Sequence, residues 1–406
     1  MVGVNTIQIL EKVSDTFLRN PEVRKGDDLS SELITTQDAL DGMAQRLAGA
    51  SCIAFDLECA SNLHRYVGRV CLMQLATHDE VFLVDTLLNL NLKPIQRILE
   101  NSAVEIVIHD TGFDLRSLDC YYGWRPNHIF DTLIAARLCG HQKFGLASLL
   151  EHFFEVTSLK KFQRADWTKR PLSEEMLSYA ALDVSHLVAL RDLFAEQLEK
   201  NERMEWASAI FERSEETRFE PDERPLFERV KRARISCDGR ELAIVQELAI
   251  LRDEIAREFD LPHFRIFRDE VLIALATDPP VNAQALASRP GLHPQCQKRY
   301  APRLIEAIDR GKRMPELCYP PSKKHPRLSA SCKKLLVSLR EWREREASRL
   351  GVEENVILST RSLKRLAGGE GIDTVLQEES INAWQGERIA RELRDLISEF
   401  KNRSVD

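Results

Sequence analysis

The 406-residue sequence is 43% hydrophobic and 30% charged and carries a net charge of −7. That length exceeds one ordinary core and points to two or three domains, while no apolar run reaches the roughly 18 residues of a transmembrane helix. Nine cysteines without a C-x-x-C pair argue against a disulfide framework and a zinc site, and the opening MVGVNTIQILEKVSDTF lacks the pattern of a secretory signal, so the cytoplasm is the expected compartment.

In chain order, residues 1–30 read as an extension that ends in the polar run KGDDLSS. Apolar spacing of three and four over 37–48 predicts a helix. CIAFDLE at 52–58 has the pattern of a buried strand, and VCLMQLAT (70–77) with EVFLVD (80–85) predict a hairpin turning at His78 and Asp79. Then come a helix over 91–100, a strand at 104–110, a helix opening near Asp114, and a short strand at 128–132 entering a helix over 132–139. From Gly145 to about Thr217 the pattern is mostly helical. Strands and helices alternating around a hairpin predict an α/β domain with a mixed sheet over 31–218.

Beyond residue 218 the strand signals stop. Two helical segments follow, 219–313 and 332–406. The first opens on a polar stretch with Pro221 and Pro225, and a Pro-rich linker at 314–331 separates the two. LRDEIAREFDLPHFRIFRDEVLIALA (251–276) aligns without a gap on WREREASRLGVEENVILSTRSLKRLA (342–367), an offset of 91 residues. Arg252/Arg343, Ala256/Ala347 and Leu272/Leu363 are among the identical pairs. Agreement through the loop as well as the helices favours an internal duplication over two unrelated amphipathic helices.

The negative total disfavours a nucleic-acid partner, but such binding needs only a local basic surface. Basic clusters occur at Lys160, Lys161, Arg164, Lys169 and Arg170, at Arg229, Lys231, Arg232 and Arg234, and at Lys323, Lys324 and Arg327. Each of them also reads as an ordinary solvated face.

Three acidic motifs carry chemistry. Asp56 and Glu58 end an apolar strand, whose period of two puts both carboxylates on one face, where like charges invite a cation. Asp114 falls in the first turn of a helix that follows the strand ending at His109. Tyr179 and Asp183, four apart, share one face of a later helix. Taken singly, each has a plain alternative: a common D-x-E, a helix-start aspartate, a core tyrosine beside an exposed aspartate.

Together and in this order, the motifs resemble the DEDD exonucleases in their tyrosine-containing form. The stretch from Lys161 through Trp167 and Arg170 to Leu172 is similar to the run before the last motif in ribonuclease D, and Phe130-Asp131-Thr132 and the Gly145-Leu-Ala-Ser-Leu run also match. The helical repeats resemble HRDC domains, and the absence of a G-x-x-x-x-G-K-[ST] phosphate loop removes a helicase reading. The likeness spans roughly residues 33–400. It departs at Leu57, where the family more often has a short polar residue, and at Asp110, where most members have glycine.

The resemblance implies a ribonuclease H-like α/β exonuclease domain followed by two all-α HRDC-like bundles. It implies a monomeric 3′-5′ exoribonuclease that trims transfer-RNA precursors and other structured RNAs with 3′ tails, releasing nucleoside 5′-monophosphates. It also implies two divalent ions, Mg²⁺ or alternatively Mn²⁺, because four carboxylates supply hard oxygen ligands. On this likeness Asp56 bridges both ions, Glu58 and Asp183 hold the one that activates water, and Asp114 holds the other. Tyr179 orients the water; a phenol titrating near pH ~10 is a better positioner than base. His109, Lys161, Gln163, Arg164, Trp167 and Arg170 are the candidate substrate contacts. A DNA exonuclease of the same superfamily would share every carboxylate. A silent binding module would be expected to have lost one, and the helical repeats could bind protein in place of RNA.

Overall fold

Buried apolar runs build one mixed sheet in the computed structural model, which describes residues 31–60, 65–66, 68–157, 160–287, 294–321, 329–378 and 386–402. The expected extension at 1–30 and the basic cluster at Lys323, Lys324 and Arg327 lie outside the described residues. The strands are β1 (Ser31–Ile34), β2 (Cys52–Ala60), β3 (Arg69–Ala76), β4 (Val81–Asp85), β5 (Glu105–Ile108) and β6 (Ile129–Asp131), in the spatial order β1-β4-β3-β2-β5-β6. β3 and β4 form the expected antiparallel hairpin, closed where Thr77 N donates to Glu80 O at 3.0 Å. β5 runs parallel to both β2 and β6.

β1 had no signal in the sequence. Of its four residues only Ile34 is buried, and parallel pairing with β4, from Ser31 against Val81 to Ile34 against Val84, makes it a strand. Here tertiary pairing overrides weak local preference.

Eight helices accompany the sheet among the described residues: α1 (Gln37–Leu47), α2 (Lys93–Leu99), α3 (Gly112–Tyr122), α4 (Thr132–Cys139), α5 (Leu146–Phe154), α6 (Glu174–Ser185), α7 (Leu187–Lys200) and α8 (Met204–Ser214). Phe55, Leu57, Met73, Phe82, Ile106 and Leu118 belong to one continuous buried cluster, which fixes the ends of β2 and β5 where the acidic motifs lie.

The remaining helices are α9 (Leu226–Arg229), α10 (Ala233–Ser236), α11 (Gly239–Phe259), α12 (His263–Ile266), α13 (Asp269–Thr277), α14 (Ala283–Ala287), α15 (Pro294–Arg313), α16 (Ala330–Leu350), α17 (Glu354–Ile357), α18 (Thr360–Ala367), α19 (Ile372–Glu378) and α20 (Gly386–Asn402). α16 begins at Ala330, capped by Ser329, so the linker expected over 314–331 stops short of its predicted end.

The duplication is visible atom by atom. α11 and α16 are both 21 residues long, and their ends lie at the same offset of 91 as the aligned sequences. Arg252 donates to Phe267 O (3.1 Å) and Asp269 Oδ1 (2.6 Å), and Arg343 donates to Leu358 O (2.9 Å) and Thr360 Oγ1 (3.4 Å), the same two steps along the chain. Both guanidinium groups are buried. Each long helix ends on a left-handed residue, Asp260 (φ 49°) in one copy and Gly351 (φ 65°) in the other.

The copies belong to different bodies. The chain forms two compact units: one takes the chain as far as Cys59, then Val70–Phe219 and Arg327–Asp406, and the other takes Ala60–Arg69 and Glu220–Pro326. Within the first unit, Arg203 donates to both Leu138 O and Leu350 O, at the C-terminal turns of α4 and α16. Helix ends leave carbonyls unsatisfied and partly negative, so one buried cation serves two of them. Arg137 pairs with Glu353 at 3.1 Å beside it, and a Cβ added at Gly140 would collide with the Gly351 carbonyl. No helix among the described residues is long and apolar enough to cross a membrane, and the described cysteines are all free.

Arg203→Met should destabilise the protein by about 2 kcal/mol, because buried carbonyl acceptors then lack a donor. A urea denaturation midpoint unchanged from wild type would contradict this role.

Candidate active site

β2 carries Asp56 and Glu58 to one face of the sheet, while Leu57 between them packs into the core. The apolar residue at position 57 therefore points away from the acidic face and leaves it intact. Tyr179 and Asp183 lie on α6, and the Tyr179 hydroxyl donates to the Asp183 carboxylate. One carboxylate oxygen from each of Asp56, Glu58 and Asp183 lies within 4.8 Å of the other two.

Asp114, in the first turn of α3, is not one of the three whose oxygens converge, but its charge is felt by Glu58 and it feels that of Asp56. It is buried, and its Oδ1 has no hydrogen-bond partner in the structure. The charge of Asp56 acts on Asp114, Asp183 and Glu58, and Glu58 also feels Asp114 and Asp183, so the four carboxyls are electrostatically linked.

The position of Asp114 depends on a residue that the acidic motifs do not include. Asp131, at the end of β6, is 1% exposed. Its carboxylate accepts from Asp110 N (3.2 Å), Thr111 N (3.0 Å) and Thr111 Oγ1 (3.0 Å), and also from Leu133 N (2.9 Å) and Ile134 N (3.2 Å). It therefore caps α4 and fixes the turn that launches α3. Asp110 sits in that turn at φ 67°, in the left-handed region. Glycine is what the resemblance leads one to expect there, and aspartate is among the few other residues that tolerate the conformation.

The electrostatics favour a cation. Burial pushes the Asp56 carboxyl up to about 7. Burial, reinforced by Asp56, Asp183 and Asp114, pushes Glu58 up to about 10. Burial first and Asp56 second hold Asp114 and Asp183 well above the usual carboxylate range. Buried carboxylates that act on one another in this way bind protons tightly unless a positive charge relieves them. Oxygen-only donors, one of them buried and unpartnered, fit hard divalent metal ions.

The candidate substrate contacts divide. Trp167 is buried, with its ring centroid 6.2 Å from that of Tyr179, so it backs the tyrosine and has no open face for substrate. Arg170 donates from Nε and Nη2 to Asp85 (2.6 and 2.7 Å), from Nη2 to Cys71 O (2.9 Å), and from Nη1 to the carbonyls of Trp167 and Lys169 (both 2.8 Å). All of its N–H groups are engaged, so it anchors the segment before α6 to β3 and β4 and has none left for phosphate. Lys161 pairs with Glu175 at 2.7 Å on the surface. Gln163 and Arg164 are exposed. His109 bonds through Nδ1 to Thr132 Oγ1 at 2.9 Å, and burial lowers its affinity for a second proton to about 4, so it is neutral near pH ~7. Asp85 and Arg203 escaped the sequence reading, and Asp131 entered it only within a matching run and without a role, since a structural carboxylate or arginine has no spacing signature.

The 3′-5′ exonuclease family model matches residues 31–199, and the HRDC domain model matches residues 241–308. Ribonuclease D of Gluconacetobacter diazotrophicus is 31% identical over 346 residues, covering 82% of this chain and 86% of that one. A crystal structure of a protein from Bifidobacterium adolescentis superposes with a TM-score of 0.76 at 25% identity, covering 90% of this chain and 97% of that one. Escherichia coli RNase D superposes with a TM-score of 0.65 at 24% identity, covering 91% of this chain and 99% of that one, a likeness of fold.

Raised carboxyl affinities imply a definite pH response. Without metal the folded state binds more protons than the unfolded chain. The stability from these groups is full below pH ~4 and is lost as pH rises through about 7 for Asp56 and about 10 for Glu58. In a chelator the melting temperature should therefore fall between about pH 5 and about pH 8, less steeply for Asp56→Asn. Mg²⁺ should restore the wild type and leave Asp56→Asn almost unmoved; equal stabilisation of both would remove Asp56 from the metal site.

Proposed function

The chain belongs to the ribonuclease D family of 3′-5′ exoribonucleases, and we propose that it trims the 3′ ends of transfer-RNA precursors and other structured RNAs, releasing nucleoside 5′-monophosphates with the help of two Mg²⁺ ions. The observation that carries this reading is the convergence of Asp56, Glu58 and Asp183 within 4.8 Å, with Asp114 buried and electrostatically tied to Asp56. Two ions bound there supply the positive charge that in-line displacement at a phosphodiester requires.

The residues divide the work. Asp56, which converges with Glu58 and Asp183 and acts on Asp114, would be the ligand shared between the two positions. Glu58 and Asp183 complete one position and Asp114 the other. Tyr179, held by its bond to Asp183, stays a phenol because burial and the surrounding carboxylates push its titration upward. It therefore positions the attacking water by hydrogen bonding and takes no proton from it. Gln163 and Arg164, exposed just before α6, remain the candidates for gripping the RNA. Trp167 and Arg170 keep the α6 segment in place.

RNA labelled at its 5′ end should shorten stepwise from the 3′ end with Mg²⁺, and should stay intact with Asp56→Ala or with a chelator. The same ladder on DNA alone would move the protein to the DNA-exonuclease class, and no ladder on either would end the catalytic reading. Tyr179→Phe should lower kcat roughly a hundred-fold with little change in KM; a full-rate variant would take the hydroxyl out of the reaction.

A further inference from the structure

We infer that a second ligand site lies where the second helical bundle meets the catalytic body, and that it takes one nucleoside 5′-monophosphate. A cavity of ≈ 420 Å³ opens where α4 and α8 face α17 and α18, all within one compact unit. That volume suits a single small molecule. None of the four catalytic carboxylates lines it, so it is separate from the acidic centre.

Its chemistry is one-sided. Four arginines line it, Arg137 and Arg213 from the catalytic body and Arg361 and Arg365 from α18, and no acidic side chain does. Two of the four also meet an acid outside the lining, Arg137 with Glu353 at 3.1 Å and Arg365 with Glu370. Arg361 is exposed and pairs with no acid among the described residues. Ile134, Ile210 and Val356, each half-buried, add an apolar wall. A chain of net charge −7 thus gathers positive charge around an apolar surface here.

Guanidinium groups present forked N–H donors that match phosphate oxygens, and they stack on flat rings. A phosphate monoester carries a charge of about −1.5 to −2 near pH ~7, which answers such a concentration of cations. Free phosphate would leave the apolar wall uncovered, whereas a base and ribose would cover it. A nucleoside 5′-monophosphate combines both parts and is the product class proposed above. The choice of a nucleotide rests on that reading, and the choice of an anion on the pocket alone.

The first bundle serves as an internal comparison. At the offset of 91, Arg361 corresponds to Glu270, Arg365 to Ala274 and Val356 to Arg265. The bundle fold therefore requires neither arginine. The cavity has walls from both partners and is whole only when the second bundle is docked. A ligand bound there favours the docked arrangement in proportion to its concentration.

The test uses full-length protein in a chelator, which keeps divalent ions out of the acidic centre, with adenosine 5′-monophosphate as the probe. Calorimetric titration should show one site in the wild type and in Asp56→Asn. Arg361→Glu should weaken binding roughly ten-fold or more, and Arg361→Ala less. Without the nucleotide both Arg361 variants should melt with the wild type, and with it only the wild type should shift fully upward. Adenosine should not bind, and inorganic phosphate should bind roughly ten-fold more weakly. Equal affinity in wild type and both Arg361 variants, or loss of binding in Asp56→Asn, would overturn the site. Phosphate binding as tightly as the nucleotide would overturn the choice of ligand. Displacement of the nucleotide by RNA that lacks terminal phosphates would overturn it in favour of RNA. No step reads activity, so nucleotide binding that depends on Arg361 in a chain that degrades no RNA would uphold the pocket and sink only the functional reading.

Discussion

A single buried carboxylate, that of Asp131, accepts five hydrogen bonds from two turns of the chain. Those bonds close the loop between β5 and α3 and start α4 in the same stroke. The helix that carries Asp114 can then begin in only one place. On the other side Arg170, saturated by Asp85 and three carbonyls, fixes the segment leading into α6 and so the position of Asp183. Carboxylates that repel one another stay together because groups that take no part in the reaction hold their backbones. Such preorganisation gathers negative charge that a divalent cation would relieve.

The legible part of the protein was the part with periodicity. The strand patterns at 52–58 and 80–85 stand close to their expected bounds, and Tyr179 and Asp183 lie on one helix as their spacing predicts. What stayed hidden depends on partners far along the chain. β1 is a strand only against β4. Arg170 and Trp167 sit beside a motif and have the chemistry of substrate contacts, yet one is fully hydrogen-bonded and the other buried. Residue type marks what a side chain can do, and packing decides which of those things remains open to it.

The two helical bundles show the same rule acting on a duplicated segment. Arg252 and Arg343 make equivalent bonds because both copies need that buried crosslink between helices. At the surface, where the fold makes no demand, the copies have parted. One turn became acidic and joined the catalytic body through Glu353, while its counterpart kept a phenylalanine and an arginine exposed. The HRDC model matches only the first of them, in keeping with a second copy reshaped as a structural support.

The path of the chain between the two units has a consequence for how the protein is made. The catalytic body is discontinuous: it is interrupted at Phe219 and resumes at Arg327, with the first bundle inserted between. During vectorial synthesis the inserted bundle emerges complete while its host still lacks α16, the second helix whose end Arg203 serves. The guest therefore folds before the host is finished, since domains generally fold as units as they leave the ribosome. A shortened transcript that ends after the first bundle would yield a chain that keeps Asp56, Glu58, Asp114 and Asp183, with Arg203 still on Leu138 O but deprived of its second acceptor, Leu350 O.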